Sequence, residues 1–171
     1  MCHNRAMRHI GIYSGTFDPV HAGHLAFADE AQRAGRLDHV VFMPEEQPRG
    51  KVNVSNIEQR VALLQNQLTA THHEIYRASH PRFSIAKTLP ELAKQYQNTT
   101  FSFLMGSDIV PSLHKWPGIK LLLTQHRIII GIRASDRAED IANALDRLQA
   151  SYVIVTTPHA HMSSRQLRQS L

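Results

Sequence analysis

Cysteine is almost missing from this chain: Cys2 is the only one in 171 residues, so no disulfide can form within it and a cross-linked secreted scaffold is excluded. A reducing compartment is predicted. No apolar run approaches the roughly 18 residues that a membrane-spanning helix requires, and residues 1–7 lack the apolar core of a signal peptide. These absences predict a soluble, cytoplasmic protein with no membrane partner, and residues 1–7 read as a loose extension. No block of like charges exceeds a few residues, and there is no internal repeat or low-complexity stretch. A basic stripe with interleaved aromatics is also missing, so no nucleic-acid partner is predicted. Aromatic residues make up only 6% of the chain, and Trp116 is its single indole.

Hydrophobic residues make up 42% of the sequence, enough for one real core, and the length predicts a single domain over residues 1–171. Lysine and arginine number 19 against 14 acidic residues, a formal charge of +5. That balance suits an anionic partner but bears on solubility and steering more than on function.

Short apolar or β-branched runs alternate with helical periodicity along the whole chain. Residues 8–14 read as a buried strand, 22–34 as a helix stopped by Gly35, and 37–43 as a second strand ended by Pro44. A helix follows with Ser55 as N-cap and Glu58 completing a capping box. Residues 73–76 suit a short strand, and 84–97 a helix that Pro90 kinks or interrupts. Residues 100–105 are the strongest central strand, 109–113 and 119–123 short helices, 127–132 a strand, 138–148 a helix, 152–155 a last strand and 163–170 a terminal helix. This alternation predicts an α/β fold, a doubly wound parallel sheet of Rossmann-like type.

The stretch Gly-Thr-Phe-Asp-Pro-Val-His-Ala-Gly-His-Leu at residues 15–25 joins the first strand to the first helix. His21 and His24, three apart, fall on one face of a first helical turn. Gly15 and Gly23 remove side chains where a ligand must approach backbone, and a helix start offers unpaired N–H groups to an anion. The pattern is that of a phosphate cradle. No cysteine or carboxylate spacing accompanies the histidines, so no protein metal site is predicted.

This stretch resembles the Gly-Thr-Phe-Asp-Pro-x-His-x-Gly-His motif of nucleotidyltransferases that move AMP or CMP onto a phosphate ester. Among them the chain is most similar to the bacterial nicotinate (or nicotinamide) mononucleotide adenylyltransferases. The resemblance implies that His21 and His24 donate hydrogen bonds to the phosphates of ATP, with Thr16 and Phe17 backbone groups completing the cradle. It covers residues 8–168 and is specific in three motifs.

The second motif, Met-Ser-Ser-Arg-Gln-Leu-Arg at residues 162–168, is similar to the family's Ile-Ser-Ser-Thr-x-Ile-Arg. Ser163 and Ser164 at a helix start suit phosphate oxygens, and Arg168, one turn on, can reach the triphosphate with its planar fork. Arg165 stands where the family has threonine. The third motif is Gly106-Ser107-Asp108 at a strand end, with Trp116 eight residues after the aspartate. Ligands of parallel sheets bind at such ends. Here the resemblance implies a ribose contact for Asp108 and stacking of Trp116 on a pyridine ring.

Lesser candidates are Lys51 for a substrate phosphate, Arg60 at a family arginine, and Arg133 for a nucleotide contact. Ser84 lies in the segment 83–89, where the family sets nicotinate against nicotinamide selectivity; this chain lacks the family's aspartate there. Ser14 replaces the usual first glycine, which is tolerable with negative φ. Taken together, the expectation is AMP transfer from ATP to nicotinate mononucleotide, giving deamido-NAD and pyrophosphate. Mg²⁺ would accompany ATP, and a homo-oligomer is allowed. Nicotinamide mononucleotide or phosphopantetheine as acceptor, or a catalytically silent nucleotide sensor, stay open.

Overall fold

A computed structural model describes residues 7–68 and 72–157. Six parallel strands form one sheet: β1 (Arg8–Gly15), β2 (His39–Pro44), β3 (Glu74–Ile75), β4 (Thr99–Gly106), β5 (Arg127–Gly131) and β6 (Tyr152–Val155). Their order is β3-β2-β1-β4-β5-β6, so the direction of travel reverses between β1 and β4. That is the doubly wound, Rossmann-like arrangement expected, and its ligand crevice lies outside the carboxyl ends of the strands at the reversal.

The strands are apolar on both sides because helices cover both faces. On β2, Val41 and Met43 join the core that contains Ile10, Ile12, Phe103 and Ile130, whereas Val40 and Phe42 join the opposite core with Phe17, Ala28, Leu64 and Ile129. Helices α1 (Ala22–Gly35) and α2 (Ile57–Leu68) supply the second core. The first is covered by α3 (Ile85–Gln95), α4 (Val110–Leu113), α5 (Ile119–Gln125) and α6 (Ala138–Arg147). A single 3-10 turn, Ser107–Ile109, leads from β4 into α4.

Two local expectations are corrected and a third is narrowed. Gly35 is not the left-handed stop of α1: Arg36 takes that conformation (φ 52°), and its N–H reaches the carbonyls of Gln32 and Arg33. Gly35 is needed for close packing, since a Cβ there would lie 2.6 Å from Ile129 Cδ1. The cap of α2 is Asn56, whose Oδ1 accepts the Glu58 N–H at 2.8 Å, and the Ser55 N–H that a capping box would offer to Glu58 is bonded to Asp18 Oδ2 instead. Of the two alternatives at Pro90, the interruption is removed, since α3 runs through it. The predicted helix at 163–170 lies outside the described residues, and no described helix is long and apolar enough to cross a membrane.

Candidate active site at the carboxyl ends of β1 and β4

The loop of residues 16–21 leaves β1 at the reversal point. Phe17 adopts positive φ (49°), which turns its ring back under the strand end. A Cβ on Gly15 would lie 3.0 Å from Phe17 Cζ. The Phe17 ring thus packs against the space where a Gly15 side chain would stand. Phe17 packs edge-on against Tyr13 and His24, with centroids 5.2 Å away in both cases.

This loop is clamped by a residue with no contact role predicted for it. Arg60 is buried on α2, and its guanidinium donates to the carbonyls of Ser55 (2.8 Å), Thr16 (2.7 Å), Glu45 (2.9 Å) and Glu46 (3.3 Å). Burial lowers its pKa, while Asp18, Glu45 and Glu46 push the other way. One planar fork thus ties the motif loop to the loop after β2 and to the start of α2. Lys51 donates to Thr16 Oγ1 at 2.7 Å, placing its ammonium at the same loop.

His21 is the N-cap of α1 and His24 its third residue. The Gly23 N–H donates to His21 Nδ1 (3.1 Å), and the His21 N–H donates to His24 Nδ1 (3.2 Å). Each Nδ1 accepts, so each ring carries its proton on Nε2. The rings lie 3.8 Å apart at 34°. Burial, then the proximity of His21 and Lys51, pushes the His24 pKa down to about 3. His24 is therefore a neutral donor near pH 7, fixed in one tautomer by the helix that it starts, and Lys51 carries positive charge beside it.

At the end of β4, a Cβ on Gly106 would come within 2.5 Å of Asp108 Oδ1, so any side chain there would displace the carboxylate from the position it holds. Arg133 Nη2 lies 3.1 Å from Asp108 Oδ2, with both side chains about half exposed. The loop bearing Arg133 is anchored by buried Ser107, whose hydroxyl donates to Asp136 Oδ2 (2.6 Å) and accepts the Arg133 N–H (3.1 Å). Tyr13 joins this group to the histidines: burial and then Asp108 raise its phenol pKa, against Arg133, and its ring is 6.1 Å from that of His24.

Trp116 is half-buried against the first core, its ring 6.3 Å from that of Phe83. Ser84 is the N-cap residue of α3 without a side-chain cap bond. Glu45 connects this region to β1, since its Oε1 accepts from the Ser14 hydroxyl (3.3 Å) and the Phe83 N–H (2.9 Å). Among the described residues, no group of three or more His, Cys, Asp or Glu side chains is placed to hold a metal ion.

Residues 12–170 match the cytidylyltransferase-like family. The chain belongs to that family. A probable nicotinate-nucleotide adenylyltransferase of Bacillus cereus (strain AH820) is 37% identical over 124 residues, covering 68% of this chain and 65% of that relative. The chain thus spans just under two thirds of the length of the Bacillus relatives it matches. A probable nicotinate-nucleotide adenylyltransferase of Lachnoclostridium phytofermentans is 28% identical over 174 residues, covering 95% of this chain and 86% of the relative. In structure, the chain is similar to the Plasmodium falciparum nicotinic acid mononucleotide adenylyltransferase complexed with NaAD. The TM-score is 0.79 at 18% identity, with 95% of this chain and 83% of that one covered. The fold is shared.

In this cytidylyltransferase-like domain Thr16, Phe17, His21, Gly23 and His24 of the first motif lie around one loop, and Lys51 joins them there. Asp108 pairs with Arg133, and Trp116 sits beside the turn at Phe83 and Ser84. Ser163, Ser164 and Arg168 lie outside the described residues. The clamp of Arg60 and the Ser107–Asp136 anchor were missed. A signal for the first existed: Arg60 stands four and eight residues before Leu64 and Leu68, on the buried stripe of α2. Asp136 carries no local signal.

Proposed function

We propose that the chain is an adenylyltransferase that moves AMP from ATP onto nicotinate mononucleotide. The observation that carries this reading is the pair of Nε2–H histidines stacked at the start of α1, beside Lys51 and at the reversal point of the sheet. The 5′-phosphate oxygen of the mononucleotide attacks the α-phosphorus of ATP, the bond to the β-phosphate oxygen breaks, and pyrophosphate leaves. The nucleophile is already anionic, so no side chain has to remove a proton. Catalysis then consists of positioning the two phosphates and stabilising charge on the transferred group.

His21 and His24 donate from Nε2 to phosphate oxygens, and the tautomer lock removes the cost of orienting them in the transition state. His24, being neutral, donates a hydrogen bond without a full charge; Lys51 supplies charge. Ser163, Ser164 and Arg168 complete the phosphate contacts in this reading, Asp108 accepts ribose hydroxyls, Arg133 assists it, and Trp116 and Ser84 frame the pyridine ring. Mg²⁺ carried by the triphosphate would neutralise phosphate charge, while His21, His24 and Lys51, all donors, would contact phosphate oxygens and not the ion. A single cytoplasmic domain acting on two free nucleotides accords with this.

Pyrophosphate release across a panel of acceptors tests the assignment. Turnover should be fastest with nicotinate mononucleotide, and preference for nicotinamide mononucleotide or phosphopantetheine would move the acceptor assignment. ATP binding without turnover on any acceptor would establish a sensor instead.

A further inference from the structure

The segment of residues 76–84, between β3 and α3, is wrapped around one carboxylate. Glu91 Oε1 accepts from the Tyr76 hydroxyl (2.7 Å) and the Ser79 N–H (2.8 Å), while Oε2 accepts from the Ser79 hydroxyl (2.8 Å) and lies 3.0 Å from His80 Nδ1. The other ring nitrogen of His80, Nε2, lies 2.8 Å from Thr88 Oγ1, and that oxygen accepts the Ser84 N–H at 2.9 Å. Thr88 is fully buried and the His80 side chain nearly so.

The Glu91 carboxylate only accepts, so its contact with His80 places a proton on Nδ1. The other ring nitrogen holds the Thr88 oxygen, which accepts the Ser84 N–H. The relay from Glu91 through His80 and Thr88 thus ends on the backbone of the turn that faces Trp116. That turn is held from its other side by Glu45, through the Phe83 N–H. The bonds of His24 and Asp108 described above run to His21 and Arg133, outside this relay.

We propose that His80 is a positioning residue which, bridging Glu91 and Thr88, fixes the turn at Phe83 and Ser84 against Trp116 and so sets the grip on the ring-bearing end of the acceptor nucleotide. This rests on the adenylyltransferase reading above. Removing the imidazole takes away the buried partner of the Thr88 hydroxyl, which loosens its hold on the Ser84 N–H and lets the turn shift. The cost falls on acceptor binding, not on ATP.

Three measurements on the full chain test this: KM for nicotinate mononucleotide, KM for ATP, and acrylamide quenching of the single indole in the ligand-free protein. For His80→Ala, the acceptor KM should rise about tenfold, the ATP KM should stay within about twofold, and quenching of Trp116 should increase. His80→Gln keeps an N–H toward Glu91 and an oxygen toward Thr88, and it should restore both readouts. Should His80→Ala fail to fold, Thr88→Val against Thr88→Ser makes the same comparison, the serine retaining the hydroxyl. Equal rises in both KM values, a glutamine variant no better than alanine, or unchanged quenching would overturn the proposal. Absence of turnover by the unaltered protein on either pyridine mononucleotide would instead remove the adenylyltransferase reading, and the quenching comparison would still decide whether His80 sets the turn.

Discussion

Replacing Arg60 by methionine keeps the length and apolar stem of the side chain while removing the fork that holds four backbone carbonyls. The Thr16 carbonyl is the buried one, and losing a charged donor there costs about 1.5–3 kcal/mol. The carbonyls of Ser55, Glu45 and Glu46 are partly accessible and regain water, so each loses roughly 0.5–1 kcal/mol. Methionine recovers about 1 kcal/mol by apolar burial, leaving a net loss on the order of 2–5 kcal/mol. For a chain of this length that corresponds to a fall in Tm of roughly 4–20 °C. Thermal unfolding followed by circular dichroism, supported by urea midpoints, measures it. Arg60→Lys should suffer most of the same loss, because a single ammonium cannot span carbonyls from three segments. Because the clamp holds the backbone of Thr16, the residue that Lys51 contacts in the loop leading to His21, turnover should fall by about tenfold as well. A methionine variant within about 1 kcal/mol of the parent, with unchanged kinetics, would show that the clamp holds nothing that matters.

Three further outcomes are expected. His24→Ala should lower turnover by about tenfold or more, as loss of one preorganised phosphate donor does; an unchanged rate would remove His24 from the mechanism. The low folded-state pKa of His24 means that the unfolded chain takes up its proton first as pH falls below about 6.5. The contribution of a neutral His24 to stability is thus fully present above that pH, declines by about 1.4 kcal/mol per unit on acidification, and is exhausted near pH 3. The stability gap between the parent and His24→Asn, from urea midpoints at pH 7 and 5, should therefore narrow by at most about 2 kcal/mol; a constant gap would mean that His24 titrates normally. Asp136→Ala frees Ser107 and the loop of Arg133, so KM for ATP should rise several-fold, about three to ten times, while that for the acceptor changes little; the reverse pattern would place Arg133 on the acceptor side.

Sequence alone determined what depends on neighbours a few residues away. The β-branched runs at Ile10, Ile12 and Ile128–Ile130, the helical stripe of α2 and the alternation of the two along the chain were enough for a doubly wound sheet, because burial on both faces demands that pattern. The placement of the two histidines on one helical turn was legible for the same reason, since a helix start defines their spacing. Tertiary structure decided everything that spans tens of residues. Arg60 meets Thr16 across 44 positions and Ser107 meets Asp136 across 29, and only the strand order brings them together. It also decided where each proton sits: His21 and His24 protonated on Nε2, His80 on Nδ1. A ring's tautomer and pKa follow from the donors, acceptors and burial around it, and those exist only once the sheet has assembled.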